Sequence, residues 1–180
     1  LKENLDTIKS YLKHIPQNIL LSLLEKLAVD SDSDVRLAVA KSLAGLSSEK
    51  ALPLLKKLSA DFDPYVRSAV AKSLASFPRE KALPILQHLS NDSNPGVREA
   101  VAQSLVSFPC EVALPLLEKF FNDNYYNVRC AVAQTLASFP PKKALPLLEK
   151  LSTDRDYYVR TAATQALASF PPEVALPLLK

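Results

Sequence analysis

The sequence predicts an all-α fold, an α-α superhelix of about five stacked helix pairs with a partial repeat at each end. Three observations carry this. Val-Arg pairs recur at Val35-Arg36, Val66-Arg67, Val97-Arg98, Val128-Arg129 and Val159-Arg160, each 31 residues after the last. Apolar residues inside each unit follow the i, i+3, i+4, i+7 spacing of a helix and not the alternation of a strand. The chain also has only 2 Gly among 180 residues, too few for the tight turns of a β-sandwich or the phosphate-cradling loops of nucleotide-binding domains.

The first element is expected over residues 1–15. Leu5, Ile8, Leu12 and Ile15 make one apolar stripe and Lys2, Glu3, Asp6, Lys9 and Lys13 a polar remainder, the pattern of a capping helix at the end of an array. Repeats are expected over 16–46, 47–77, 78–108, 109–139 and 140–170, and the stretch from Ser47 to Phe77 illustrates one. Ala51, Leu52, Leu54, Leu55 and Leu58 form the apolar stripe of a first helix, A. Ser59 to Pro64, rich in Asp and Pro, turns the chain. Tyr65 to Ala75 then gives a second helix, B, with Val66, Ala69, Val70, Ser73 and Leu74 inward and Ala71 small enough for close approach. Phe77-Pro78 ends it, because a residue before proline is pushed out of the α region.

All 14 Pro fall into four columns of the same register, and the column of Pro53, Pro84, Pro115, Pro146 and Pro177 lies one turn into helix A. A kink is expected there, not a break. Residues 171–180 begin a helix A that no helix B follows, so the array is expected to be cut at that end. An uncovered apolar end invites self-association.

A formal net charge of +3 and 23% charged residues indicate neither a disordered polyelectrolyte nor a strongly basic nucleic-acid binder. Cys110 and Cys130 lie in no CxxC or Cys/His cluster and read as two reduced thiols of a cytoplasmic protein. No apolar run is long enough to span a membrane. No metal cage, cofactor loop or set of nucleophile, base and orienting group can be assembled, so a non-enzymatic protein without a cofactor is expected.

Leu58, Asp61, Val66-Arg67, Ala69-Val70-Ala71 and Ser73-Leu74 repeat through the chain in a pattern that resembles the HEAT repeat, especially its short bacterial version. The resemblance covers nearly the whole sequence. It implies a right-handed solenoid and a protein-interaction role, as the recognition or regulatory module of a longer protein. Two alternatives come with it. Bilin lyases and their chaperone subunits carry similar short repeats, and some HEAT-like DNA glycosylases bind nucleic acid on the concave side.

Asp30, Asp61, Asp92, Asp123 and Asp154 occupy one column, and Arg36, Arg67, Arg98, Arg129 and Arg160 another six residues on. A motif repeated five times is structural, since a catalytic site needs a unique constellation. Each Asp is expected to accept backbone N–H bonds at the start of helix B, and each Arg to bridge to an Asp of its own or the adjacent repeat. Leu46, Phe77, Phe108, Phe139 and Phe170 end each helix B and are expected to pack between repeats.

Partner recognition is expected where the repeats differ. On the exposed side of helix B the sequence runs Leu37/Lys41, Ser68/Lys72, Glu99/Gln103, Cys130/Gln134 and Thr161/Gln165, a shift from Lys to Gln that suits a polar protein surface or peptide backbone better than phosphate. Phe62, Tyr65, Tyr125, Tyr126, Tyr157 and Tyr158 place rings along the A-to-B turns, with Asn124 and Asn127 beside them. Tyrosine is a favoured interface anchor. His88 replaces the Lys of Lys26, Lys57, Lys119 and Lys150 on the outer face of helix A and reads as a solvated substitute, not a metal ligand. His14 has no ligand partner at i+4. The basic region of Lys56, Lys57, Lys72, Arg79 and Lys81 is compensated by Asp61, Asp63 and Glu80, which speaks against DNA.

Overall fold

A computed structural model describes residues 16–175, and these are helical throughout, without strands. The expected capping helix over residues 1–15, His14, and residues 176–180 lie outside the described residues. The chain runs α1 (Gln17–Leu27), α2 (Ser33–Ser42), α3 (Ser48–Leu58), α4 (Pro64–Leu74), α5 (Arg79–Leu89), α6 (Pro95–Ser104), α7 (Cys110–Glu118), α8 (Tyr126–Leu136), α9 (Pro141–Ser152), α10 (Tyr157–Ala168) and α11 (Pro172–Ala175). Odd-numbered helices occupy the A position and even-numbered ones the B position. The A helices continue through Pro53, Pro84, Pro115 and Pro146 unbroken.

The two layers pack differently. Successive B helices touch along much of their length, whereas successive A helices meet at few points. Side-chain size explains the difference. Ala40, Ala71, Ala102 and Ala133 are fully buried where B helices meet, and residues this small let backbones approach closely. The B layer is therefore the tighter one. Leu55, Leu86, Leu117 and Leu148 seal the space between the layers, and Phe77, Phe108, Phe139 and Phe170 are buried at the helix ends as expected. Ser73 Oγ donates to Ala40 O at 2.8 Å and Thr135 Oγ1 to Ala102 O at 2.9 Å, each bonding to the preceding B helix, while Ser104 Oγ donates within its own helix to Val101 O at 2.7 Å.

The Asp/Arg ladder corrects one expectation and resolves another. The column of Asp30, Asp61, Asp92, Asp123 and Asp154 does not cap helix B. Each of these carboxylates accepts the backbone N–H two residues on, donated by Asp32, Asp63, Asn94, Tyr125 and Asp156, which is still one residue short of the helix. Capping falls to those next residues: the side chains of Asp32, Asp63, Asn94 and Asp156 accept from the N–H of Asp34, Tyr65, Gly96 and Tyr158. The physical reason is reach, because the shorter Asx bond serves the turn and leaves the first Asp free to face the neighbouring pair.

Four of the five Arg bridge forward. Arg36 holds Asp61, Arg67 holds Asp92, Arg98 holds Asp123 and Arg129 holds Asp154, every pair through Nε and Nη2 on the two carboxylate oxygens. The remaining Nη1 of each Arg donates to the carbonyl of the Asp in its own turn, as Arg67 does to Asp61 O at 2.7 Å. Arg160 makes the same carbonyl bond to Asp154 O at 2.9 Å. The Arg36 hydrogen bond holds Asp61 below the ordinary carboxylate value. For Asp92, Asp123 and Asp154 burial pushes the pKa up, but the Arg bonds and the turn N–H outweigh it and the net shift is downward.

Candidate functional site

The A-to-B turns carry the aromatic edge that the sequence leads one to expect. Phe62 is 100% exposed, and Tyr65, Tyr125, Tyr126, Tyr157 and Tyr158 all stand largely in solvent. Three of these rings form one cluster: Tyr126 stacks on Tyr158 with centroids 5.2 Å apart, and Tyr157 lies against Tyr158 at 4.0 Å. The helix starts bring them together, since Tyr126 opens α8 while Tyr157 and Tyr158 open α10. Tyr65 and Phe62 sit at the start of α4, outside this cluster.

Tyr125, next to Tyr126 in the chain, is exposed by a different route. It occupies the N-cap position of α8 in extended backbone, φ −98° and ψ 122°, and its side chain caps nothing. At the same position α2, α4, α6 and α10 use Asp or Asn as a cap. Replacing such a cap by a residue that cannot accept costs about 1 kcal/mol. In exchange the ring lies 53% exposed beneath the Arg98 guanidinium, 5.7 Å from its carbon. Composition alone does not reveal this; the Asp/Asn column interrupted at Tyr125 was the available signal.

Carboxylates around the rings are engaged, whereas Arg160, bonded among the described residues only to the Asp154 and Arg155 carbonyls, is an exposed cation beside Tyr157. Asp123 and Asp154 are neutralised by Arg98 and Arg129, and Asp156 is engaged as the α10 cap. Contact with the Tyr158 phenol, reinforced by desolvation, raises the Tyr157 phenol above its ordinary value. Asn124 and Asn127 are exposed beside the rings. A depression of about 410 Å³ lined by Tyr157, Arg160, Thr161, Thr164, Gln165 and Ala168 leads from the cluster onto the B-helix face.

On that face Lys41, Lys72, Gln134 and Gln165 are exposed, and Gln103 is half-buried with its Nε2 donating to Glu99 Oε1 at 3.2 Å. The first members of the pairs are less open than expected: Leu37, Ser68, Glu99 and Cys130 are half-buried, and Leu37 and Cys130 pack on the core. Both cysteines are free, and the Cys110 thiol, donating to Glu111 at 3.0 Å, is raised above its ordinary pKa by that contact. Among the described residues no group of His, Cys, Asp and Glu could hold a metal ion, and no helix is long and apolar enough to cross a membrane.

Family models for HEAT repeats match residues 53–129 and 114–180, and a further HEAT-repeat model matches residues 20–49. The chain belongs to the HEAT-repeat family. None of the curated proteins matches it. Among solved structures this HEAT-repeat chain resembles a designed armadillo repeat protein in complex with the peptide (KR)4, at 24% identity and TM-score 0.54, covering 84% of this chain and 82% of that one. It also resembles the complex of CpcE and CpcF of phycocyanin lyase from Nostoc sp. PCC7120, at 25% identity and TM-score 0.54, covering 83% and 64% of the two chains. The S. pombe condensin Cnd3-Cnd2 subcomplex matches over 98% of this chain but 27% of its own, at 21% identity and TM-score 0.71. These likenesses establish the helical-repeat fold.

Proposed function

We propose that this HEAT-repeat chain is a non-enzymatic scaffold that binds another protein or peptide through the Tyr125, Tyr126, Tyr157 and Tyr158 cluster and the adjoining Gln134 and Gln165 face. The observation that carries the reading is Tyr125 itself. A capping position that the other B helices fill with Asp or Asn is given to an exposed ring, next to three more exposed rings. Local rules of stability are broken most readily where function needs the residue. Tyrosines supply large, rigid contact area with a polar tip. The solved armadillo and CpcE–CpcF complexes lend support, since in both a related fold holds a peptide or protein.

The test is affinity capture from the source organism's lysate with this chain and with a Tyr126→Ala, Tyr157→Ala, Tyr158→Ala triple variant. A protein retained by the first and lost by the second is the expected result. Equal capture by both would refute the aromatic cluster as the contact. The likeness to phycocyanin lyase favours a second reading, a bilin lyase-type or lyase-chaperone subunit. Mixing with free bilin and recording absorbance and fluorescence separates the two, because a scaffold leaves the spectrum unchanged.

A further inference from the structure

One face of α10 departs from the pattern of the other B helices. In α2 and α6, Ala40 and Ala102 mark the side that receives the following B helix, because Ser73 Oγ and Thr135 Oγ1 of that helix donate to their carbonyls. Ala71 and Ala133 hold the same register in α4 and α8, and all four side chains are fully buried. In α10 the register falls on Thr164, which is exposed and donates its Oγ1 to Arg160 O at 2.9 Å. A β-branched hydroxyl residue does not permit the close approach that Ala permits. This face is polar where the other four are shaped to close.

Arg160 stands at the head of that face. Its Nη1 donates to Asp154 O at 2.9 Å and to Arg155 O at 3.1 Å, the same two turn carbonyls that anchor Arg36, Arg67 and Arg98. At those positions, and at Arg129, Nε and Nη2 hold a carboxylate. At Arg160 the same two donors meet no acceptor among the described residues, and the side chain is exposed. The carboxylates nearby are committed, Asp154 to Arg129 and Asp156 to the Tyr158 N–H. Arg155 adds a second exposed cation. Beside the guanidinium runs the depression of about 410 Å³, whose lining of Tyr157, Thr161, Thr164, Gln165 and Ala168 includes no carboxylate.

We infer that this face binds an acidic segment of a partner protein, with an Asp or Glu carboxylate held by Arg160 Nε and Nη2 as the ladder holds Asp61, Asp92, Asp123 and Asp154. The inference rests on the reading of the tyrosine cluster as a partner contact and names the chemistry of that partner. A planar fork fixed by turn carbonyls and receiving two oxygens in its plane occurs four times in the same chain, so the geometry of the fifth suits a carboxylate. Thr161 and Gln165 offer an exposed hydroxyl and amide to the segment's backbone, and the Tyr157 ring lies beside the carboxylate position.

Selection from a random peptide library displayed on phage, with this chain as bait, tests this. Enriched peptides are expected to share an Asp or Glu at a fixed position. Changing that acid to its amide and changing Arg160→Gln should each weaken a synthetic copy roughly tenfold in fluorescence anisotropy, and both together no more than either alone. Arg160→Lys keeps the charge without the fork and should recover little of the loss. The peptide change leaves the chain untouched, and circular dichroism confirms helicity in both variants. Enriched peptides with no fixed acid, additive losses, full recovery by Arg160→Lys, or no enrichment overturns the inference. Peptides that ignore Arg160→Gln but fail on the Tyr126→Ala, Tyr157→Ala, Tyr158→Ala variant overturn it while the tyrosine contact stands. Coupling of the acid to Arg160 that survives the triple variant supports this site and removes the cluster.

Discussion

Arg67 grips Asp92 of the following helix pair with two parallel bonds, Nε to Oδ2 at 2.6 Å and Nη2 to Oδ1 at 2.8 Å, while its third nitrogen holds the Asp61 carbonyl of its own turn at 2.7 Å. One side chain thus fastens two repeats and shapes a turn. Lys cannot reproduce this fork, so Arg67→Lys is expected to destabilise the chain by about 1–2 kcal/mol, read from urea unfolding. Unchanged stability would mean that the ladder only decorates packing done by the apolar core.

The same ladder makes the fold acid-sensitive. Asp61, Asp92, Asp123 and Asp154 have folded pKa values below their unfolded ones. Their contribution is therefore complete above the unfolded carboxylate value of about 3.9 and is lost as pH falls through the lower folded values. Melting temperature should be level from roughly pH 7 to pH 5 and fall steeply below about pH 4. Asp92→Asn should lower the plateau and flatten the acid slope; identical slopes in the two proteins would contradict the assignment.

Tyr125→Asp separates stability from recognition. It restores the cap that α2, α4, α6 and α10 possess, and should raise stability by about 1 kcal/mol. Capture of the partner should fall in the same variant. A gain in melting temperature with full binding would remove Tyr125 from the contact while leaving the capping account intact.

Close approach in the B layer predicts intolerance to size. Ala71 is fully buried where α4 meets its neighbours, and Ala71→Leu should cost about 2 kcal/mol or more through overpacking. Thermal melts beside those of Lys72→Leu, one residue away and exposed, give the comparison. Comparable losses at the two sites would argue against tight B-helix contacts.

Thr135→Val keeps the shape of a buried side chain and deletes its bond to Ala102 O. A loss of about 1 kcal/mol is expected, measurable by chemical denaturation. No loss would show that this bond merely replaces one to water.

Much of this was legible in residue spacing. The helix starts step by 31 residues, at Gln17, Ser48, Arg79, Cys110, Pro141 and Pro172 and at Ser33, Pro64, Pro95, Tyr126 and Tyr157, because the turn residues and apolar stripes that define them recur at that interval. The aromatic edge was legible too, since rings beside Asp, Asn and Pro belong to turns. The half-burial of Leu37 and Cys130 was not. It depends on tertiary packing, which a single helix pattern does not encode.

By itself the sequence determined the helix pairs, their period, the buried Phe column and the pairing of Asp with Arg, because each follows from local propensity and from a pattern repeated along one chain. Tertiary structure alone decided that every bridging Arg reaches forward to the next pair and that Tyr126 stacks on Tyr158. Those outcomes turn on the translation and rotation between neighbouring repeats. Spacing along the chain leaves that relation open, and the packing of small Ala against Ala in one layer and longer side chains in the other sets it.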